Sequence, residues 1–279
     1  MNPFSLNING RLVEYDRPAV MGIINATPDS FYAGSRAAGQ AAVADRVRLM
    51  LDQGADMLDL GAYSSRPGAG DVSEDEECRR LREALEAIRS VSTDVPVSVD
   101  TFRARVAEKA VTEWGADIIN DISGGTLDAE MFPTVARLKV PYILMHMRGT
   151  PADMQQHCDY SDVTAEVISE LSARLHRLSL LGVCDVIVDP GFGFSKTLEQ
   201  NYRMLRELDS FGMLGRPVLA GVSRKSMISR LLGIDSSEAL NGTTAVNMLA
   251  LDRGAAILRV HDVEAARQAV DIYCAMQKF

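Results

Sequence analysis

The chain has 279 residues, a formal net charge of −9 and 47% hydrophobic residues. That length suits one large domain or two small ones, and the apolar content suits a sizeable core and excludes a disordered chain. The acidic balance argues against a nucleic-acid partner, although a local cationic cluster can still serve an anionic small molecule.

In chain order, SLNINGRLVEY sets Asn9-Gly10 between alternating residues. Asn-Gly tolerates the two positive φ angles of a tight hairpin, so a hairpin is predicted within residues 1–18, closing the bottom of the domain. Eight apolar runs come next, each ending in polar residues. GIIN ends in Asn25, MLDLGA carries Asp59, PVSVD ends in Asp100, and DIIND carries Asn120 and Asp121. YILMHM carries His146, VIVDPGFGF carries Asp189, PVLAGVSRKS carries Ser223 and Lys225, and ILRVHD carries Arg259 and His261.

Helix-like stretches separate these runs. Glu74–Arg89 and Val163–Leu181 have apolar residues at helical spacing, and Ser73 with Glu76 fits a capping box. QGADMLDLG, WGADIIND, LGVCDVIVD and RGAAILRVHD repeat one pattern: helix end, glycine, then an aliphatic strand. Strand and helix in alternation predict parallel strands. Eight such units in one chain favour an α/β fold, a single (β/α)8 TIM barrel over residues 1–279, rather than an open doubly wound sheet. In such a barrel the strand tips converge on one mouth, which is where a site belongs.

At that mouth, Asp100, Asn120, Asp189 and Lys225 combine two carboxylates, an amide and an ammonium. Such a set can read the edge of a flat polar heterocycle, with carboxylates accepting from ring N–H groups and lysine donating to a carbonyl. Strand-end Asp and Asn also cap helices, but four together favour a binding role. Arg66, Arg224, Lys225, Arg259 and His261 form a cationic group in the strand-end loops, and Ser65-Arg66-Pro67-Gly68 with Arg259 and His261 suits an anion. Residues 259 and 261 are two apart and face one way. The polar stretch Asn25–Phe31 could close over substrate and offer an oxygen to magnesium on a phosphate. His146, between Met145 and Met147, reads as a satisfied core residue, and Asp59 and Asp121 as structural strand-end residues.

Cys78, Cys158, Cys184 and Cys274 show no CxxC spacing and no paired histidines, so zinc and redox-motif readings are weak. MNPFSLNING lacks the apolar core of a signal peptide, and no run is long enough for a membrane span. The expected compartment is a reducing cytoplasm, with no membrane partner.

GIINATPDSF, SSRPGA, VSVDTF, IINDISGG, LMHMRGTP, DPGFGFSKT, VSRKSMI and ILRVHDV resemble, in order, the motifs of the dihydropteroate synthase family. The resemblance runs from about Met21 to the last helix. It implies a barrel enzyme, usually a homodimer, that joins 4-aminobenzoate to a dihydropterin methyl diphosphate in folate biosynthesis, with sulfonamides as mimics of the first substrate. It implies pterin contacts at Asp100, Asn120, Asp189 and Lys225, with Met145 and Phe194 as pocket walls and Arg259 stacked on the ring. Asn25, Ser65, Arg66, Arg259 and His261 match diphosphate positions, with Asn25 on Mg2+. Phe31, Ser65, Arg66, Pro67 and Ser226 match the 4-aminobenzoate side. Arg66, Lys225, Arg259 and His261 are thereby the implied catalytic set. Local departures are Ser65 where threonine is frequent, Ala62-Tyr63 ahead of the second loop, and Ser195 where glycine is common.

Three rival readings exist. A corrinoid-linked methyltransferase barrel would share Asp100, Asn120 and Asp189 but has no reason to carry SSRPG or the Arg259/His261 pair. A Schiff-base lyase would need Lys225 buried in apolar surroundings with a depressed pKa, whereas Arg224 and polar serines are expected to surround it. A catalytically silent binding barrel has no reason to keep the whole set.

Overall fold

A computed structural model describes residues 3–26, 36–62 and 72–278. β1 (Phe4–Ile8) and β2 (Arg11–Tyr15) form the expected antiparallel hairpin, with Asn9 and Gly10 both at positive φ, 51° and 79°. After them come β3 (Ala19–Asn25), α1 (Arg36–Asp52), β4 (Met57–Gly61), α2 (Glu74–Val91), β5 (Val97–Asp100), α3 (Ala104–Thr112), β6 (Ile118–Asp121) and α4 (Met131–Leu138). β7 (Tyr142–Met145), α5 (Val163–Leu180), β8 (Val186–Asp189), α6 (Leu198–Arg206), β9 (Leu219–Ala220), α7 (Ser226–Leu232), α8 (Leu240–Asp252), β10 (Ile257–Val260) and α9 (Val263–Lys278) complete the chain.

β3 to β10 make one eight-stranded parallel sheet in the order β8-β7-β6-β5-β4-β3-β10-β9. A bridge between Val188 and Val218, with Val188 N–H on Pro217 O at 2.9 Å, brings β9 back beside β8 and closes the barrel. The outward residues of the strands, Leu58, Val97, Ile119, Leu144, Val186 and Leu258 among them, pack with the helices. The predicted capping box on α2 is half realised. Ser73 Oγ accepts from Glu76 N–H at 3.3 Å, but the Glu76 carboxylate turns to Arg79 and Arg80 instead of reaching back.

Side chains alternate in and out along each strand, and the parallel register staggers by about one residue per strand. The inward positions therefore fall into layers of four. Met57, Ile118, Ile187 and Ile257 form the lowest, and Met21, Ser98, Ile143 and Leu219 the next. The seven apolar members of these layers share one core cluster with Leu6, Ile8 and Tyr15 of the hairpin. The hairpin thus plugs the barrel bottom, pinned there by Asn9 Nδ2 donating to Asp117 Oδ1 at 2.6 Å. Above the two lower layers the character changes. The third layer is Asp59, Asn120, Asp189 and Arg259, and the fourth is Ile23, Asp100, Met145 and Gly221. Burial of four polar residues in one barrel layer is costly unless each is paired, and that cost points to a site.

Candidate functional site

Arg259, rising from β10, lies across the barrel mouth. Its Nε donates to Asp59 Oδ2 at 2.6 Å, and its Nη2 reaches Asp100 Oδ2 at 3.1 Å. Asn120 Nδ2 lies 3.3 and 3.2 Å from the two Asp59 oxygens. Asp59 is fully buried. Asp59, expected to be a structural residue supplying strand-end hydrogen bonds, supplies them to two mouth residues: it is the carboxylate on which Arg259 and Asn120 both rest. Its sequence signal was parity, since Met57 and Asp59 share the inward face while Leu58 and Leu60 face the helices. Asp121 is structural as expected, accepting from Ser123 N–H and Oγ, Gly125 N–H and the Tyr142 hydroxyl.

On the opposite side of the mouth, Asp189 Oδ1 accepts from Gly191 N–H at 2.7 Å. A Cβ on Gly221 would stand 3.8 Å from both Asp189 Oδ2 and Lys225 Nζ. The bare backbone at 221 thus leaves room between a carboxylate and an ammonium. Lys225 Nζ donates to Phe192 O and lies 4.6 Å from the centre of the Phe194 ring. Arg224 is not its neighbour in function. At φ 53° its side chain turns away and pairs with Asp262 through Nε and Nη2, both at 2.8 Å. This removes Arg224 from the cationic group at the mouth, and it corrects the expectation that Arg224 and polar serines surround Lys225.

Burial sets the protonation of these groups. It raises Asp100 to about 7, against the opposing charge of Arg259 and with Asp59 adding to the rise. It raises Asp189 too, opposed by Lys225 and the Gly191 N–H. Burial brings Lys225 down to about 8, with Asp189 opposing. Burial also works against the charge on Arg259, but Asp59 and Asp100 outweigh it and hold the guanidinium charged.

One wall of the mouth is apolar: Ile122, Met145, Met147 and Met154 cluster, with Phe102 and Phe194 packed against them. Met145 and Phe194, the two implied wall positions, are brought together in this cluster. His261, just past β10, has Nδ1 3.0 Å from Ser223 Oγ. Asn25 is half-buried at the tip of β3, and Ser226 is exposed at the start of α7. Phe31, Ser65, Arg66 and Pro67 lie outside the described residues, so the loops that carry half of the anticipated anion and 4-aminobenzoate contacts do too.

His146 is fully buried and fully engaged, as a core histidine should be, but its partners are charged. Nδ1 lies 3.1 Å from Lys196 Nζ and Nε2 3.1 Å from Glu170 Oε2. Sequence reasoning missed Lys196 and Glu170, which stand in the loop after β8 and on α5 rather than on a strand.

The mouth can hold a flat ring in the plane of its four polar donors and acceptors, against a methionine and phenylalanine wall, beneath a clamped guanidinium. Residues 21–261 match the family model described as "Pterin binding enzyme". The dihydropteroate synthase of Synechocystis sp. is 44% identical over 255 residues, covering 90% of this chain and 88% of that one. The structure is similar to dihydropteroate synthase of Xanthomonas albilineans solved with 4-aminobenzoic acid, with a TM-score of 0.90, 39% identity, and 99% and 98% of the two chains covered. It is also similar to the Thermus thermophilus enzyme in complex with 6HMPPP, with a TM-score of 0.84, 40% identity, and 98% and 100% covered.

Proposed function

Because the chain belongs to the dihydropteroate synthase family of pterin-binding enzymes, we propose that the polar upper layers of its barrel seat the dihydropterin ring during the transfer that this family performs. The protein is a transferase of folate biosynthesis. It condenses (7,8-dihydropterin-6-yl)methyl diphosphate with 4-aminobenzoate, giving 7,8-dihydropteroate and pyrophosphate.

In the bond-making step the amine lone pair of 4-aminobenzoate forms the N–C bond at the pterin methylene carbon. The C–O bond breaks and its electrons leave with pyrophosphate, and the amine proton passes to solvent. An aniline nitrogen is neutral at pH 7, so the step needs position and charge stabilisation more than a strong base. Asp189 and Asp100 accept from the ring's N–H groups, Asn120 both donates and accepts, and Lys225 donates to the carbonyl edge. Arg259, held flat by Asp59 and Asp100, covers the ring face. Met145 and Phe194 exclude water from the wall. His261 and Arg66 stabilise the growing negative charge on the leaving diphosphate. Phe31, Ser65, Pro67 and Ser226 line the approach of 4-aminobenzoate. The observation that carries this reading is the Asp59–Arg259–Asp100 clamp set opposite Asp189 and Lys225 at the barrel mouth.

Magnesium fits this arrangement. Among the described residues no group of three His, Cys, Asp or Glu side chains could cage a metal, but Asn25 offers one amide oxygen at the mouth. Mg2+ commonly takes one or two protein oxygens and fills its octahedron with phosphate and water oxygens. Asn25 would hold the ion, and the ion would supply positive charge to the leaving diphosphate.

Two wider proposals follow the same family. The enzyme works as a homodimer. Exposed leucines on α7 and α8, Leu231, Leu232, Leu240 and Leu249, support a second copy as the partner of that face. It works in the cytoplasm, where its four free thiols stay reduced.

Mixing the purified protein with both substrates and Mg2+ tests the function. Pyrophosphate and dihydropteroate should appear together, and neither when 4-aminobenzoate is omitted. Absence of both products with the complete mixture would overturn the assignment.

A further inference from the structure

Behind the pterin wall, the loop from Gly191 to Phe194 is held by two lysines. Lys225 takes the carbonyl of Phe192 from the mouth side. Lys196 takes the carbonyls of Gly191 at 3.1 Å and Phe194 at 3.0 Å from the other side. The third contact of the Lys196 ammonium is His146 Nδ1 at 3.1 Å. An ammonium has three N–H donors, and here all three find acceptors. Lys196 is only 3% exposed.

The histidine is held in one tautomer by this geometry. Nδ1 accepts from Lys196, so the proton sits on Nε2 and is donated to Glu170 Oε2. Burial first, and then the Lys196 charge, bring His146 down to about 4, which keeps the ring neutral. Glu170 is itself gripped by Arg148 through Nε at 2.9 Å and Nη2 at 2.5 Å. A second tie joins the same two loops: Arg148 N–H donates to Ser195 Oγ at 2.9 Å. The loop is also pressed against β7, because a Cβ on Gly191 would lie 2.0 Å from His146 O.

What this loop delivers is the pterin seat. It carries the N–H that orients Asp189, the carbonyl that holds Lys225, and the Phe194 ring. We infer that Lys196, oriented by the His146–Glu170 pair, is a positioning residue for pterin recognition: its three hydrogen bonds shape the 191–194 loop so that Asp189, Lys225 and Phe194 meet the ring together. The inference rests on the pterin-transfer reading above. It adds a buried lysine that touches no substrate and lies behind the residues that do.

The test separates ring recognition from anion recognition. Titrate 6-hydroxymethyl-7,8-dihydropterin, which has no diphosphate, and inorganic pyrophosphate with Mg2+ into the wild type and Lys196→Met. The variant keeps the length of the side chain and removes all three donors. Pterin affinity should fall at least tenfold, with pyrophosphate affinity within twofold of wild type. In turnover, KM for the pterin diphosphate should rise by a similar factor while kcat falls less than threefold. Pterin affinity within threefold of wild type, or equal loss of both ligands, would overturn the positioning role. If Lys196→Met does not fold, His146→Leu carries the same comparison, since it removes one acceptor and leaves both loop carbonyls paired. It should weaken pterin at least threefold and spare pyrophosphate, and an unchanged pterin affinity would overturn the inference. Failure of the wild type to bind the pterin at all would instead overturn the transfer reading.

Discussion

Asp59 and Arg259 are 200 residues apart in the chain and meet at 2.6 Å in the barrel mouth. The pair ties β4 to β10, and Asp59 also takes the Asn120 amide from β6. A carboxylate in this position sets the plane of the guanidinium and the rotamer of the amide together.

Asp59→Asn should therefore damage catalysis as well as stability. The volume is kept, but Arg259 loses one of two carboxylates and the two amides at 59 and 120 must compete for donors and acceptors. A disturbed buried charge-assisted pair costs about 1–3 kcal/mol, so kcat/KM for the pterin diphosphate should fall roughly five- to 150-fold by that arithmetic. An unchanged kcat/KM with a lowered Tm would return Asp59 to a structural role.

Asp189→Asn should remove most pterin affinity. One oxygen is committed to Gly191 N–H, so the amide nitrogen would face the ring's own donors. The lost charge-assisted bond and the donor conflict together cost about 2–4 kcal/mol. Calorimetry with 6-hydroxymethyl-7,8-dihydropterin checks it, and near-normal affinity would sink the assignment of this carboxylate.

Pterin affinity of the free enzyme should follow a bell in pH. Asp100 is raised to about 7, so its charge is present above that value and is lost as pH falls through it. Lys225 is lowered to about 8, so its charge is present below that value and is lost as pH rises through it. Lys196, brought down to about 7 by burial, also loses its ammonium as pH rises, so binding of the diphosphate-free pterin should be best near 7. Asp100→Asn should flatten the acidic limb and leave the alkaline limb in place. An acidic limb that survives this substitution belongs to another group.

His261→Ala and Asn120→Ala should separate the leaving group from the ring. Charge grows on the diphosphate as the bond breaks, so loss of a donor to it should lower kcat and kcat/KM together, by about ten- to a thousandfold. The ring edge changes little along the reaction, so Asn120→Ala should act chiefly on pterin KM. If His261→Ala raises KM with kcat untouched, the imidazole only helps to hold substrate.

The barrel was legible because eight apolar runs carry the same grammar, and because each tip residue such as Asp100 or Asp189 stands at a strand end. The hairpin was legible from Asn9-Gly10, whose backbone can take few other turns. What escaped notice depends on direction and distance. Asp59 stands two residues before its strand ends, and its partner is 200 residues away. Arg224 and Lys225 are adjacent in sequence, yet the left-handed backbone at 224 throws one side chain to Asp262 and leaves the other at the mouth. Lys196 lies in a loop and reaches its partners only because the chain folds back around its ammonium. No periodicity records that.

β9 is only two residues long and meets β8 through a single bridge at Val188 and Val218. Every other neighbouring pair of strands shares at least two register positions. Within the barrel sheet, this seam should be the first place where backbone amides exchange with deuterium in the free protein. Asp189 ends one lip of it, and Lys225 follows the other. A pterin that engages both would sew the lips together, so its arrival should slow exchange at Val188 and in the 218–222 segment more than at the hairpin on the far side of the barrel. The ligand would then be the last stave of the barrel as well as its cargo.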